Sequence, residues 1–151
     1  MIAISRSIAI RAPAARVFDQ LSPPENLLEI WPSLVAVERP RIEPDARHDF
    51  DWTYRMAGVK LRGRCETVEV ERDRLRVDRN TGGIPSTFRW TFEPREDGTV
   101  VRLDVEYEVP GLLRMIAGAL LRAMNEREAE TLLANLKARI ETGIPPVQRV
   151  A

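Results

Sequence analysis

Along residues 2–10 the chain alternates, with Ile2, Ile4, Ile8 and Ile10 on one side and small residues on the other. A period of two predicts a strand with one buried face, and Arg6 is the polar member of that face. Ala12-Pro13 ends it. Residues 14–21 then carry Val17, Phe18 and Leu21 at helical spacing, and a second short helix is predicted through 30. Ser22 with Glu25 three residues on has the spacing of a capping box, and Trp31-Pro32 stops the segment. Strands are predicted over 35–42, 48–56, 59–71 and 75–79, then through Phe88, Trp90 and Phe92 and through Val101 to Val109, separated by turn residues. Pro40 marks the first of these as an edge, and a phase switch from Cys65 to Val68 predicts a bulge there. Residues 80–85 read as a loop.

The last long pattern runs from 111 to 142 with a period of three and four: Leu113, Ile116, Leu120, Met124, Leu132, Leu136 and Ile140. Pro110-Gly111 before it and Gly143 after it punctuate a single helix roughly 45 Å long. The fold class is therefore α+β. A curved, seven-stranded antiparallel sheet follows from the short turns, with two short helices after the first strand. The long C-terminal helix must cover its inner face. One domain spanning 1–151 is expected.

Composition narrows the partners. Twenty-three basic and 23 acidic residues cancel, so no electrostatic footprint for nucleic acid is expected. No apolar run approaches the ~20 residues of a membrane span, so stable membrane insertion is not expected. Met1 leads straight into a strand pattern with no signal-peptide character, which predicts a cytoplasmic location. One histidine and one cysteine cannot complete a closed zinc or Rieske-type site, so neither metal nor other cofactor is expected.

Candidate chemistry sits on the inner face. Phe50, Trp52, Tyr54 and Met56 alternate on one strand, and Phe88, Trp90 and Tyr107 come from two others. They are read as ligand-binding residues, together with Leu113, Ile116 and Leu120 of the helix. Tyr and Trp need partners for their polar tips, which a cavity supplies. Tyr54, His48 and Arg6 are the candidate acid, base and anchoring groups, and Cys65 reads as a small buried hydrophobe.

Three stretches carry a resemblance: the segment from Ile8 to Leu34, the hairpin around Trp90, Pro94, Gly98 and Thr99, and the helix end at 131–141. Together they resemble the START-like, Bet v 1-like helix-grip superfamily (SRPBCC), and within it the polyketide cyclase/dehydrase and lipid-transport group. The resemblance implies a cavity between sheet and helix that holds a lipid-, quinone- or polyketide-like molecule. It leaves three functions open: binding or transport of a hydrophobic ligand, which is preferred; a cyclase or aromatase using Tyr54, His48 or Arg6; and a protein or membrane-surface interaction module presenting residues 112–121. A monomer or homodimer suits all three.

Overall fold

A computed structural model of the chain describes every residue except Ala57, Pro110, 112–117 and 144–151. The strands are β1 (Ile2–Ile10), β2 (Leu34–Ile42), β3 (His48–Met56), β4 (Val59–Glu71), β5 (Leu75–Gly82), β6 (Ser86–Arg95) and β7 (Gly98–Tyr107). They form one sheet in the order β1-β7-β6-β5-β4-β3-β2, every neighbouring pair antiparallel. The helices are α1 (Ala14–Leu21), α2 (Leu27–Ile30) and α3 (Gly118–Thr142), with a 3-10 turn at Pro24–Asn26 leading into α2. The α+β helix-grip architecture expected from the patterning and the resemblance is the one observed.

Each local signal has a physical counterpart. β2 is an edge strand, and Arg39 at φ 50 beside Pro40 breaks its ladder, which an edge tolerates. The β4 bulge lies between Thr67 and Glu69. It keeps Thr67 rather than Val68 in line with Cys65 on the buried side, which matters for the site. Gly143 at φ +74 closes α3, its N–H donating to the Arg139 carbonyl.

Three expectations need correction. Ser22 is not the cap of the second helix. It ends α1, where its hydroxyl donates to the Phe18 carbonyl and accepts from Arg76. The segment 80–82 is not a loop but the end of β5, because Gly82 at φ +102 lets the strand run on opposite Gly63. On α3 the buried stripe is Leu121, Ala129, Leu132, Leu133, Leu136 and Ile140, whereas Leu120 and Met124 are exposed. The reason is polar. Asn125 and Glu128 take two inward positions of the helix, so apolar spacing alone selects the wrong side of its first half. Leu113 and Ile116 lie outside the described residues.

The core between α1, α3 and the β1–β7–β6 end of the sheet is close-packed. Phe18 meets Phe92 edge-on at 5.7 Å, and Val17, Leu136, Val101 and Leu103 are essentially inaccessible. Space remains toward β3, β4 and β5.

Candidate functional site

The inner rows of β3 to β7 converge on a hollow of about 80 Å³, closed on the helical side by Leu21, Leu27, Trp31 and Asn125. Its wall contains Phe50, Trp52, Tyr54 and Met56 from β3, Phe88 and Trp90 from β6, and Tyr107 from β7. All seven residues expected from the strands therefore meet in one place. A second hollow of about 330 Å³ lies on the outer side of Tyr54 and Met56, between Ser33, Arg55 and Glu128. The inner hollow is smaller than an aromatic-lined sheet suggests, because the large rings occupy most of the concavity themselves. It still has room for about two or three waters at liquid density.

The mouth is built from paired polar tips. Trp31 Nε1 donates to Tyr54 Oη at 3.2 Å, and the two rings meet edge-on at 5.7 Å. Trp31 also lies 5.0 Å from Phe88. Asn125 Nδ2 donates to Tyr107 Oη at 2.7 Å, and the Ser33 N–H donates to Glu128 Oε1 at 3.1 Å. Burial, reinforced by the Glu128 charge, pushes the Tyr54 phenol far above its ordinary range. Burial also raises Tyr107, although Asn125 opposes it. Both tyrosines are thus neutral hydroxyls, suited to hydrogen bonding and poor as bases.

Trp52 is different. Its ring lies across Gly63, where a Cβ would collide both with the indole and with the Thr81 carbonyl. Only glycine permits that approach. The indole Nε1 is buried and has no hydrogen-bond partner among the described residues.

The deep end carries a polar group that sequence reading missed in part. β5 turns Arg76, Asp78 and Asn80 inward, opposite Trp90, Phe88 and Ser86 of β6, and all three line the hollow. Arg76 is 1% exposed. Its Nη1 donates to Thr67 Oγ1 at 3.0 Å, and its Nη2 donates to Ser22 Oγ at 3.0 Å and to the Ala46 carbonyl. The guanidinium also stacks 5.2 Å over Phe18 and stands 3.6 Å from Asp78 Oδ1. Its Nε has no partner among the described residues. Thr67 passes the network on, donating to Asp78 Oδ1 at 2.7 Å.

His48 sits behind this pair with its ring edge-on to Phe50 at 5.4 Å. The side chain is buried. Nδ1 is 2.7 Å from the Ser22 carbonyl, an acceptor only, so Nδ1 carries a proton. Nε2 has no hydrogen-bond partner among the described residues, and Asp78 Oδ1 lies 3.6 Å from it. Burial pushes the Asp78 carboxyl up, but His48, Arg76 and Thr67 outweigh it and hold the group below its ordinary value. Arg76 is lowered, chiefly by burial, with Asp78 opposing.

His48, Cys65 and Asp78 bring three metal-donor atoms within 4.8 Å of one another. Two features oppose a cation there. Burial raises the Cys65 thiol well above its ordinary value, and the Arg76 guanidinium already neutralises Asp78. Dialysis against a chelator is therefore expected to leave the melting temperature unchanged. A fall of several degrees, restored by one particular metal, would show that a cation holds the cluster together.

Arg6 lies elsewhere. It is one-third exposed at the β1 edge and bridges to Glu126 and Glu130 of α3. Leu120 is exposed and outside the lining.

A curved antiparallel sheet gripping a helix around an aromatic hollow defines a helix-grip protein with a ligand-type cavity. The chain belongs to the polyketide cyclase / dehydrase and lipid transport family, which it matches over residues 1–141. Similar solved structures include TTHA0849 from Thermus thermophilus, at 22% identity and a TM-score of 0.81, covering 94% of this chain and 99% of that one. The Zhui aromatase/cyclase from Streptomyces sp. R1128 aligns at 16% identity and a TM-score of 0.66, covering 94% and 97%. The di-domain aromatase/cyclase BexL of the BE-7585A pathway aligns at 19% identity and 0.71, covering 93% of this chain and 50% of that one. At such identities the likeness speaks for the fold alone. No curated protein matches the sequence. Among the described residues no helix is long and apolar enough to cross a membrane.

Proposed function

We propose that this protein binds a small, largely apolar molecule bearing an oxygen acceptor in the hollow between sheet and helix. One observation carries the reading. The aromatic wall buries a Trp52 indole N–H and an Arg76 Nε–H that no described group of the protein accepts. A buried unmet donor costs about 1–3 kcal/mol, which a bound acceptor recovers. Family membership supports the same reading, since its description joins cyclases with lipid transport.

A small neutral probe with one carbonyl acceptor, cyclopentanone, tests it. Saturable one-site binding is expected, with the Trp52 indole N–H resonance shifting most and Trp52→Phe identifying that resonance. Absence of binding, or shifts confined to the surface, would remove the reading.

A cyclase-type enzyme is the second reading, favoured by the buried His48–Asp78 pair beside the cavity and by the cyclases in the family's description. On that reading His48→Gln lowers turnover on a poly-β-ketone substrate by about a hundredfold or more with affinity little changed. On the carrier reading it changes affinity alone.

A further inference from the structure

We infer that the corner of the inner hollow formed by Tyr107 and Asn125 is a hydroxyl subsite. It takes an uncharged alcohol, phenol or enol: Tyr107 donates its O–H to the ligand oxygen, and Asn125 Oδ1 accepts the proton that this oxygen carries. This rests on the cavity-binding reading and adds the chemical class of the ligand's oxygen to it.

The direction of each hydrogen bond at this corner is fixed by a backbone carbonyl. The Leu121 carbonyl can only accept, so the Asn125 atom 2.8 Å from it is the amide nitrogen. The same nitrogen lies 2.7 Å from Tyr107 Oη, and its two protons are then spent, one on each partner. Tyr107 Oη therefore accepts from Asn125 and keeps its own proton to donate. No described residue accepts that proton. Burial raises the phenol, so the proton stays in place.

The amide oxygen is the complementary half. Asn125 Oδ1 receives no donor among the described residues. Unlike Trp52 Nε1 it is not sealed, and it belongs to a side chain that lines the hollow. One unused donor and one unused acceptor thus stand side by side on the helix side of the cavity.

The surroundings select an uncharged partner. Ser86 is the register partner of both Asn80 and Tyr107. Its hydroxyl donates to the Ile84 carbonyl at 3.2 Å and accepts from Asn80 Nδ2 at 3.1 Å, so this neighbour brings no charge. Arg122 and Glu126 act on Tyr107 with opposite signs and pair with each other at 3.3 Å. Glu128, one turn further along α3, lines the outer hollow rather than this one. A carboxylate here would set a negative charge against the Asn125 oxygen. A ketone would satisfy Tyr107 and leave that oxygen unmet. A hydroxyl, being donor and acceptor at one atom, satisfies both.

Cyclopentanol and cyclopentanone share a ring and differ in whether the oxygen carries a proton. Chemical-shift titrations of the isotope-labelled protein are expected to give cyclopentanol the lower Kd by about fivefold, the worth of one further neutral hydrogen bond. The Asn125 side-chain amide resonances are expected to move with it. Asn125→Ala is expected to bring the two Kd values together, and Tyr107→Phe to weaken cyclopentanol about fivefold. Because the preference is read on the unaltered protein, the test stands even if a variant fails to fold. Equal Kd values for the two probes, or a preference that survives Asn125→Ala, overturn the hydroxyl subsite and leave the cavity reading intact. Failure of both probes to bind overturns the cavity reading and the subsite with it.

Discussion

Arg76→Met is expected to destabilise the protein by about 3–5 kcal/mol, the usual cost of removing one partner of a buried ion pair. For a chain of this size that corresponds to a fall in melting temperature of roughly 10 °C. The guanidinium is 1% exposed and holds Thr67, Ser22 and the Ala46 carbonyl as well as facing Asp78. Without it, Asp78 becomes a buried carboxylate lacking the Arg76 counter-charge, and three acceptors lose their donor. The pH dependence has a definite sign. In the native protein Asp78 is held below its ordinary value, so its ionised form contributes stability above the unfolded pKa, and that contribution is lost as pH falls through the lower folded value. In the variant, burial acts on Asp78 with less opposition, the native state gains from protonation, and the deficit shrinks as pH falls toward the ordinary carboxylate range. Replacing both partners, as Arg76→Met with Asp78→Leu, should recover much of the loss. A single variant as stable as the native protein at neutral pH would mean that the cluster does not carry the charges assigned to it.

Trp52→Ala is expected to cost about 3 kcal/mol, near the lower end for a buried aromatic, because the ring already borders open space. Trp52 is 6% exposed and lies against Gly63 and the inner hollow. Its removal should merge ring volume with the 80 Å³ already present. Small-ring probes such as cyclopentanone should then bind more weakly, having lost both a wall and the indole donor, while a bulkier apolar probe should bind more tightly. Denaturant melts and parallel titrations of the two probes read both effects. Equal weakening for both sizes would indicate collapse of the site rather than enlargement.

Much of this site was readable from β3. His48, Phe50, Trp52, Tyr54 and Met56 alternate in the sequence, and all five are buried in the fold. A strand with such large apolar side chains on one side can settle in only one orientation. The seven aromatic and methionine residues expected in the cavity wall meet there for that reason. β5 was not readable in this way. Its inward row is Arg76, Asp78 and Asn80, while Leu75 and Val77 lie on the other face, beside Thr91 and Arg89 of β6. Apolar side chains favour the opposite choice. The parity comes from the β5–β6 register, which closes with Asn80 rather than Arg79 opposite Ser86, and a one-residue shift in pairing flips a whole row. The clue was present in Phe88 and Trp90, whose cross-strand partners must share their face.

Sequence alone determined the seven strands, the edge position of β2, the approximate bulge in β4 and the long final helix, because each follows from the period, glycine and proline content of one continuous segment. Tertiary structure decided which helix side faces the sheet near Asn125 and Glu128, how small the cavity is, and that Ser22, His48, Thr67, Arg76 and Asp78 meet. Those five residues come from the end of α1, β3, β4 and β5, separated by up to 56 positions. Their encounter depends on strand register and sheet curvature, and both are properties of pairing between segments that no local pattern encodes.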